Sequence, residues 1–206
     1  MFRKMKTIDL FNYDKELRKE GYRYICGIDE AGRGPLAGPV SVCAVIMDLD
    51  EMIDGVNDSK KVSPKKRDLL YDVVREKALS YKCVMLDSKV IDEINILEAT
   101  KKAMKEAVQG LSIKPDLILV DAVKIDFGCE TRPIIKGDAT SYSIASASII
   151  AKVARDRLME EYDNQFPGYG FAKHKGYGTK DHINAIKTLG PTPIHRRTFI
   201  GNFVNE

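Results

Sequence analysis

Three segments of this chain end or open an apolar run on carboxylates. Asp29 and Glu30 stand where an apolar stretch, residues 24–29, gives way to Gly32-Arg33-Gly34-Pro35. Asp121 closes Leu-Ile-Leu-Val at 117–120, and Asp138 stands at the mouth of a long segment, residues 140–162, whose first half is apolar or small. Carboxylates in such places are costly unless something neutralises them. Clustered, they repel, so either some take up protons or divalent cations bind. A donor set of oxygen alone, without His or Cys, favours hard ions, Mg²⁺ or Mn²⁺. Two such ions about 3.5–4 Å apart would clamp the attacking water and leaving oxygen of a phosphodiester.

Each residue also has a structural reading. Asp138 suits the N-cap of the helix that follows it, and Asp121 suits a turn after its strand. Gly32-Arg33-Gly34 reads as a tight loop with a solvated arginine, or as a close backbone approach to substrate that only glycine permits, with Arg33 near a phosphate. Lys60, Lys61, Lys65, Lys66 and Arg67 form a basic run of the kind that is usually a solvated face. Residues 173–178, KHKGYG, interleave lysines with Tyr177, a mix suited to backbone tracking and stacking but also found in ordinary loops.

The elements that must position these residues follow from periodicity. Residues 24–29, 38–47, 81–86, 116–121 and 133–136 read as strands, and 38–47 is nearly all apolar. Helices are expected at 10–20, from Ser63 (N-cap) and Pro64 to about 79, at 91–108 with Gly110 as its C-cap, at 140–162 and at 180–189. The half-helix 144–154 is apolar or small nearly all round, so it packs deep. Residues 166–179 read as an ordered loop, and a basic tail follows Gly190-Pro191. Strands alternating with helices give an α/β class with a mixed sheet covered on both faces.

Composition narrows the class further. The 206 residues carry 33 Lys and Arg against 30 Asp and Glu, a net charge of +3 that does not by itself demand nucleic acid. One domain spanning 1–206 is expected, with 1–22 as an N-terminal extension. The basic start at 1–6 leads into no apolar core of signal-peptide length, so a cytoplasmic protein is expected. Cys26, Cys43, Cys83 and Cys129 lack CxxC spacing and read as reduced core residues. His174, His182 and His195 form no metal-binding pair.

Taken together, the segments resemble the ribonuclease HII family. GIDEAGRGPLAGPV, NDSKKVSPKKR, LILVDA, KGDATSYSIASASIIAKVARD, KHKGYGTKDH and PIHRRTF occur in order, from about residue 24 to 199. The resemblance implies an RNase H-like fold, a mixed central β-sheet flanked by α-helices with a helical C-terminal part. It implies two divalent ions, Mn²⁺ or Mg²⁺, on Asp29, Glu30, Asp121 and Asp138. It places Gly32, Arg33 and Gly34 on the 2′-hydroxyl at the cut, Tyr177 on the sugar of the next deoxynucleotide, and Lys60 in a phosphate-contacting loop. It implies cleavage of RNA paired to DNA, and of duplex DNA 5′ to an embedded ribonucleotide, leaving 3′-hydroxyl and 5′-phosphate ends. The cellular role implied is ribonucleotide removal by a monomer acting on nucleic acid, not membrane. The serines of ASASII, where many members have alanine, are expected to matter little. NFVNE at the end shows no motif like the clamp-binding tail of some members. Two rivals remain open: another carboxylate nuclease, which the GRG and GYG segments oppose, and a non-catalytic nucleic-acid binder, for which clustered negative charge has no use.

Overall fold

The computed structural model describes residues 7–121, 125–202 and 204. Its centre is a five-stranded mixed sheet in the order β3-β2-β1-β4-β5, built from β1 (Ile25–Ala31), β2 (Val40–Met47), β3 (Ala78–Leu86), β4 (Leu117–Asp121) and β5 (Glu130–Ile134). The pairs β1-β2 and β2-β3 are antiparallel, whereas β1-β4 and β4-β5 are parallel. Both faces of the sheet are covered. Ile25, Cys43, Val45, Leu117 and Leu119 enter one apolar cluster; Cys26, Ile28, Val42, Ala44, Ile46, Ile118 and Val120 enter the other. Such alternation is the period-two rule applied to strands buried on both sides, and it explains why β2 reads as unbroken apolar sequence.

The first face is covered by α1 (Thr7–Lys19), α2 (Pro64–Lys77) and α4 (Tyr142–Gln165), the second by α3 (Ser88–Gln109). Short helices α5 (Phe171–His174), α6 (Lys180–Leu189) and α7 (Arg197–Ile200) complete the C-terminal part. α4 lies almost in contact with β1: a Cβ on Gly27 would come within 2.1 Å of the Ser143 carbonyl carbon. Gly27 is therefore the one strand residue that lets this helix approach so closely. Leu10, Phe11 and Tyr142 dock α1 over the same helix, with the Phe11 and Tyr142 rings edge-on at 5.1 Å.

Several expected boundaries move. α2 stops at Lys77 because β3 begins at once at Ala78. α3 is interrupted at Asn95, whose φ of 64° breaks the helix and whose Oδ1 caps Leu97 and Glu98. The last strand lies at Glu130–Ile134 rather than 133–136, since Lys136 adopts a left-handed conformation and turns the chain. Ser63 occupies the N-cap of α2 without a side-chain hydrogen bond, and Gly110 ends α3 at a φ of −84° rather than in the left-handed region. The segment 166–179 holds the short helix α5, and the basic tail holds α7. The basic start at residues 1–6 lies outside the described residues.

Candidate active site

The parallel register of β1 and β4 runs to Ile28 opposite Val120, so Asp29 and Asp121 follow on adjacent strands; Asp121 ends β4, whereas β1 continues past the expected end at residue 29 to Ala31. Asp138 reaches them from a single 3-10 turn, Gly137–Ala139. The Gly137 N–H donates to Asp121 Oδ1 at 3.1 Å, which ties that turn to the end of β4. Asp138 does not cap α4. Ser141 does, accepting from the Ile144 N–H at 3.2 Å, so the Asp138 carboxylate is not spent on that cap.

Burial raises Asp29 well above the usual carboxylate range, and the charges of Glu30 and Asp138 add to the effect. Glu30 is also raised by burial, opposed by its ion pair with Arg33 (Nη1 to Oε1, 3.3 Å), and it senses Asp121. Its second oxygen, Oε2, is buried and has no hydrogen-bond partner among the described residues. Asp138 is raised by burial and then by Asp58, to which it is hydrogen-bonded. The four carboxylates expected from sequence thus interact as one electrostatic cluster. Among the described residues, no three acidic, His or Cys side chains stand converged as an ion-holding group. Glu30 is engaged by Arg33 and Asp138 by Asp58, as carboxylates in a low-dielectric cleft pair with cations or share protons rather than crowd together.

Asp58 is a fifth acid that the polar loop 57–62 concealed. Burial opposes its ionisation, yet the Lys61 ammonium at 2.9 Å and the Lys60 N–H at 2.9 Å hold it below its ordinary value. Lys60 is exposed and lies in the field of Asp138, Asp29 and Asp58, which outweighs its partial desolvation and raises it. Ser148, one of the serines of ASASII, is buried near Asp29. Its hydroxyl donates to Ser59 Oγ at 2.7 Å and accepts from the Ser59 N–H at 3.4 Å, which ties α4 to the loop before α2. Ser146 instead bonds back to the Tyr142 carbonyl inside α4.

One cleft of about 320 Å³ is lined by Asp29, Glu30, Gly32, Arg33, Gly34, Ser59, Lys60, Ser148, Lys152 and Tyr177. It brings Asp29 and Glu30 together with Gly32, Arg33, Gly34, Lys60 and Tyr177, the substrate-binding residues expected from sequence, whereas Asp121 and Asp138 do not line it. Tyr177, 46% exposed, sits near the glycine-rich turn: a Cβ on Gly34 would lie 3.9 Å from its Cε1. Lys173 and Lys175 near it are ion-paired, to Asp181 at 3.1 Å and Glu160 at 2.6 Å. In the basic run, Lys61 is held by Asp58 and Arg67 lies buried, 3.9 Å from Asp156.

The glycine-rich turn is shaped from behind by two buried guanidinium groups that sequence reasoning read as helix and tail charges. Arg155 of α4 donates to the carbonyls of Pro39, Lys175 and Ala37 at 2.9–3.0 Å. Arg196 donates to Gly32, Arg33 and Gly38 carbonyls at 2.6–3.0 Å. A Cβ on Gly32, at φ +90°, would meet Arg155 Nε at 2.0 Å. The helical stripe Ser148, Ala151, Arg155, Met159, otherwise apolar or small, was the available sign that Arg155 faces inward. The three histidines also converge. His174 and His182 stack at 4.3 Å, and His182 Nε2 lies 3.0 Å from His195 Nε2.

A family model for ribonuclease HII matches residues 26–202. A ribonuclease HII of Caldicellulosiruptor bescii is 54% identical over 196 residues, 95% of each chain. The solved ribonuclease H2 of Pyrococcus horikoshii superposes with a TM-score of 0.72 at 28% identity, covering 88% of this chain and 99% of that one. The ribonuclease HII solved in a PCNA complex from Archaeoglobus fulgidus gives 0.73 at 26%, covering 88% and 97%. The sheet order, the helices on both faces and these matches agree on an RNase H-like fold, and the chain belongs to the ribonuclease HII family of divalent-metal-dependent endonucleases.

Proposed function

We propose that this chain hydrolyses the RNA strand of RNA–DNA hybrids and nicks duplex DNA on the 5′ side of an embedded ribonucleotide, leaving 3′-hydroxyl and 5′-phosphate ends. The observation that carries this reading is the cleft in which Asp29 and Glu30, two of the four acidic residues, meet the Gly32-Arg33-Gly34 turn and the Tyr177 ring.

The acidic residues fit a pair of divalent cations. Their donors are all oxygen, Glu30 Oε2 is buried without a partner among the described residues, and Asp29, Glu30 and Asp138 are raised by burial and mutual repulsion that positive charge would relieve. Asp29, Glu30, Asp121 and Asp138 would hold Mg²⁺ or Mn²⁺, supplying Lewis acidity toward the scissile phosphate and activation of water. The rest is the work of the chain. Lys60 and Arg33 offer cationic donors to backbone phosphates. The glycine-rich turn brings main-chain donors close to the 2′-hydroxyl, and the Tyr177 ring stacks on the sugar beyond the cut. Residues 1–206 act as one catalytic unit in the cytoplasm, as a monomer, in removing ribonucleotides from DNA. Among the described residues no helix is long and apolar enough to cross a membrane.

The test is cleavage of an end-labelled duplex holding one ribonucleotide, with Mg²⁺ and Mn²⁺ in turn. A single nick 5′ to the ribonucleotide is expected. Replacing that ribose by deoxyribose should reduce cutting by roughly 10⁴–10⁵, as for other sites built to bond a hydroxyl. Comparable cutting of the all-DNA duplex would overturn the proposal.

A further inference from the structure

We propose that His195 and Arg196, adjacent in the C-terminal segment, are positioning residues that fix the glycine-rich turn and Tyr177 relative to one another. The inference rests on the reading of those two elements as the ones that recognise the ribonucleotide and its neighbour.

Arg196 acts on the turn. Its guanidinium is fully buried, has no carboxylate within salt-bridge distance among the described residues, and spends its donors on the carbonyls of Gly32, Arg33 and Gly38. Across a trans peptide the carbonyl and the following N–H point in opposite directions. Drawing the Gly32 and Arg33 carbonyls inward therefore turns the Arg33 and Gly34 N–H groups outward, where these residues line the cleft. A planar fork reaches several carbonyls at once, and a lysine ammonium cannot copy that geometry.

His195 acts on Tyr177. Its Nδ1 accepts from the Thr192 N–H at 2.9 Å and lies 2.8 Å from the Thr192 hydroxyl, so its proton sits on Nε2. That Nε2–H donates to His182 Nε2 at 3.0 Å, which leaves His182 Nδ1–H to donate to the Tyr177 carbonyl at 2.9 Å. A chain of neutral imidazoles thus runs from the C-terminal segment to the backbone of the stacking residue. The segment itself is pinned. His195 bridges Ala37, the Arg196 N–H donates to the Leu36 carbonyl at 2.9 Å, and Asp92 of α3 accepts from the Arg197 N–H, the Thr198 N–H and the Thr198 hydroxyl at 2.6–3.0 Å.

The experiment has two arms, each with a melting curve. In the first, binding of a single-ribonucleotide duplex and of the matching all-DNA duplex is measured by fluorescence anisotropy in an Asp121→Asn background. Arg196→Lys should lower the preference for the ribonucleotide by about tenfold, the scale of one lost hydrogen-bonding contact to a nucleotide. In the second, cleavage by His182→Phe, Tyr177→Ala and the double variant is compared. If His182 acts through the Tyr177 ring, the double variant should lose no more than Tyr177→Ala alone. His195→Gln, which keeps a donor toward His182, should retain more activity than His195→Asn, which keeps only the acceptor for Thr192. An unchanged ribonucleotide preference in Arg196→Lys, or fully additive losses for His182 and Tyr177, would overturn the proposal. Should Arg196→Lys not fold, the cycle and the His195 pair decide it alone. A wild-type protein without ribonucleotide preference would instead refute the proposed function.

Discussion

Asp14 of α1 accepts the Ser143 N–H at 2.7 Å, which fastens the N-terminal helix to the first turn of α4 beneath the acidic cluster. Burial raises the Asp14 carboxyl to about 6, against the opposing effect of its hydrogen bonds. The folded state therefore binds the extra proton between about pH 4 and 6, and the stability linked to Asp14 is complete below that window and lost as pH rises through it. Asp14→Asn keeps an acceptor for Ser143. Its amide can also donate to the Ser143 hydroxyl, which is buried without a partner among the described residues. The variant should melt above wild type at pH 7, by about 2–4 °C for each kcal/mol gained, with the difference shrinking toward pH 4. A difference independent of pH would show that Asp14 is ionised throughout.

The histidines should slope the other way. Burial first, then the neighbouring imidazoles, hold His182 and His195 down to about 4. The unfolded chain binds their protons between about pH 6.5 and 4, so the stability they confer is complete above that range and fades as pH falls. Between pH 7 and 4.5 the wild type should lose more melting temperature than His182→Phe. Equal losses would mean that His182 does not titrate in the unfolded chain alone.

Asp121→Asn removes a charge while its Oδ1 can still accept the Gly137 N–H. Cleavage should fall by orders of magnitude, and hybrid binding should hold or tighten as repulsion of phosphate eases. Turnover near that of wild type would remove Asp121 from the site.

Tyr177→Phe should keep most activity on a single-ribonucleotide duplex, and Tyr177→Ala should lose far more, since stacking on nucleic acid is worth about 1–3 kcal/mol. A lowered melting temperature with unchanged preference between that duplex and a long hybrid would assign the ring to packing instead.

Gly27→Ala tests the contact between β1 and α4. Its Cβ would lie 2.1–2.5 Å from three backbone atoms of Ser143 and Ile144, which cannot yield separately. Denaturant melts should show a loss above about 3 kcal/mol, whereas Gly201→Ala, with nothing among the described residues within 4 Å of its Cβ, should fall within about 0.5.

Much of this molecule was legible because its strands are short and covered on both faces. Unbroken apolar runs marked β2 and β4, and carboxylates at strand ends stood out against them. Asp138 was found, but its alternative role as a helix cap was misplaced, because Ser141 competes for that position and lies closer to the helix. Asp58 was hidden by its polar surroundings: an acid among lysines reads as a solvated pair until the fold buries it. Arg155 and Arg196 were hidden for the opposite reason. A buried guanidinium is satisfied by carbonyls more than a hundred residues away, and no local pattern records such partners. The histidines form no spaced motif, because α5, α6 and the C-terminal segment each contribute one.

The bond from Arg196 to the Gly32 carbonyl spans 164 residues. On the ribosome, the strand carrying Asp29 and Glu30 is made early, yet the turn beside it cannot take its final shape until residue 196 has emerged. A nascent chain carries its first two acidic residues early, but the carbonyls of the turn beside them lack their guanidinium partner until the C-terminal segment docks. Closure of the site therefore waits for the last stretch of the chain to be made.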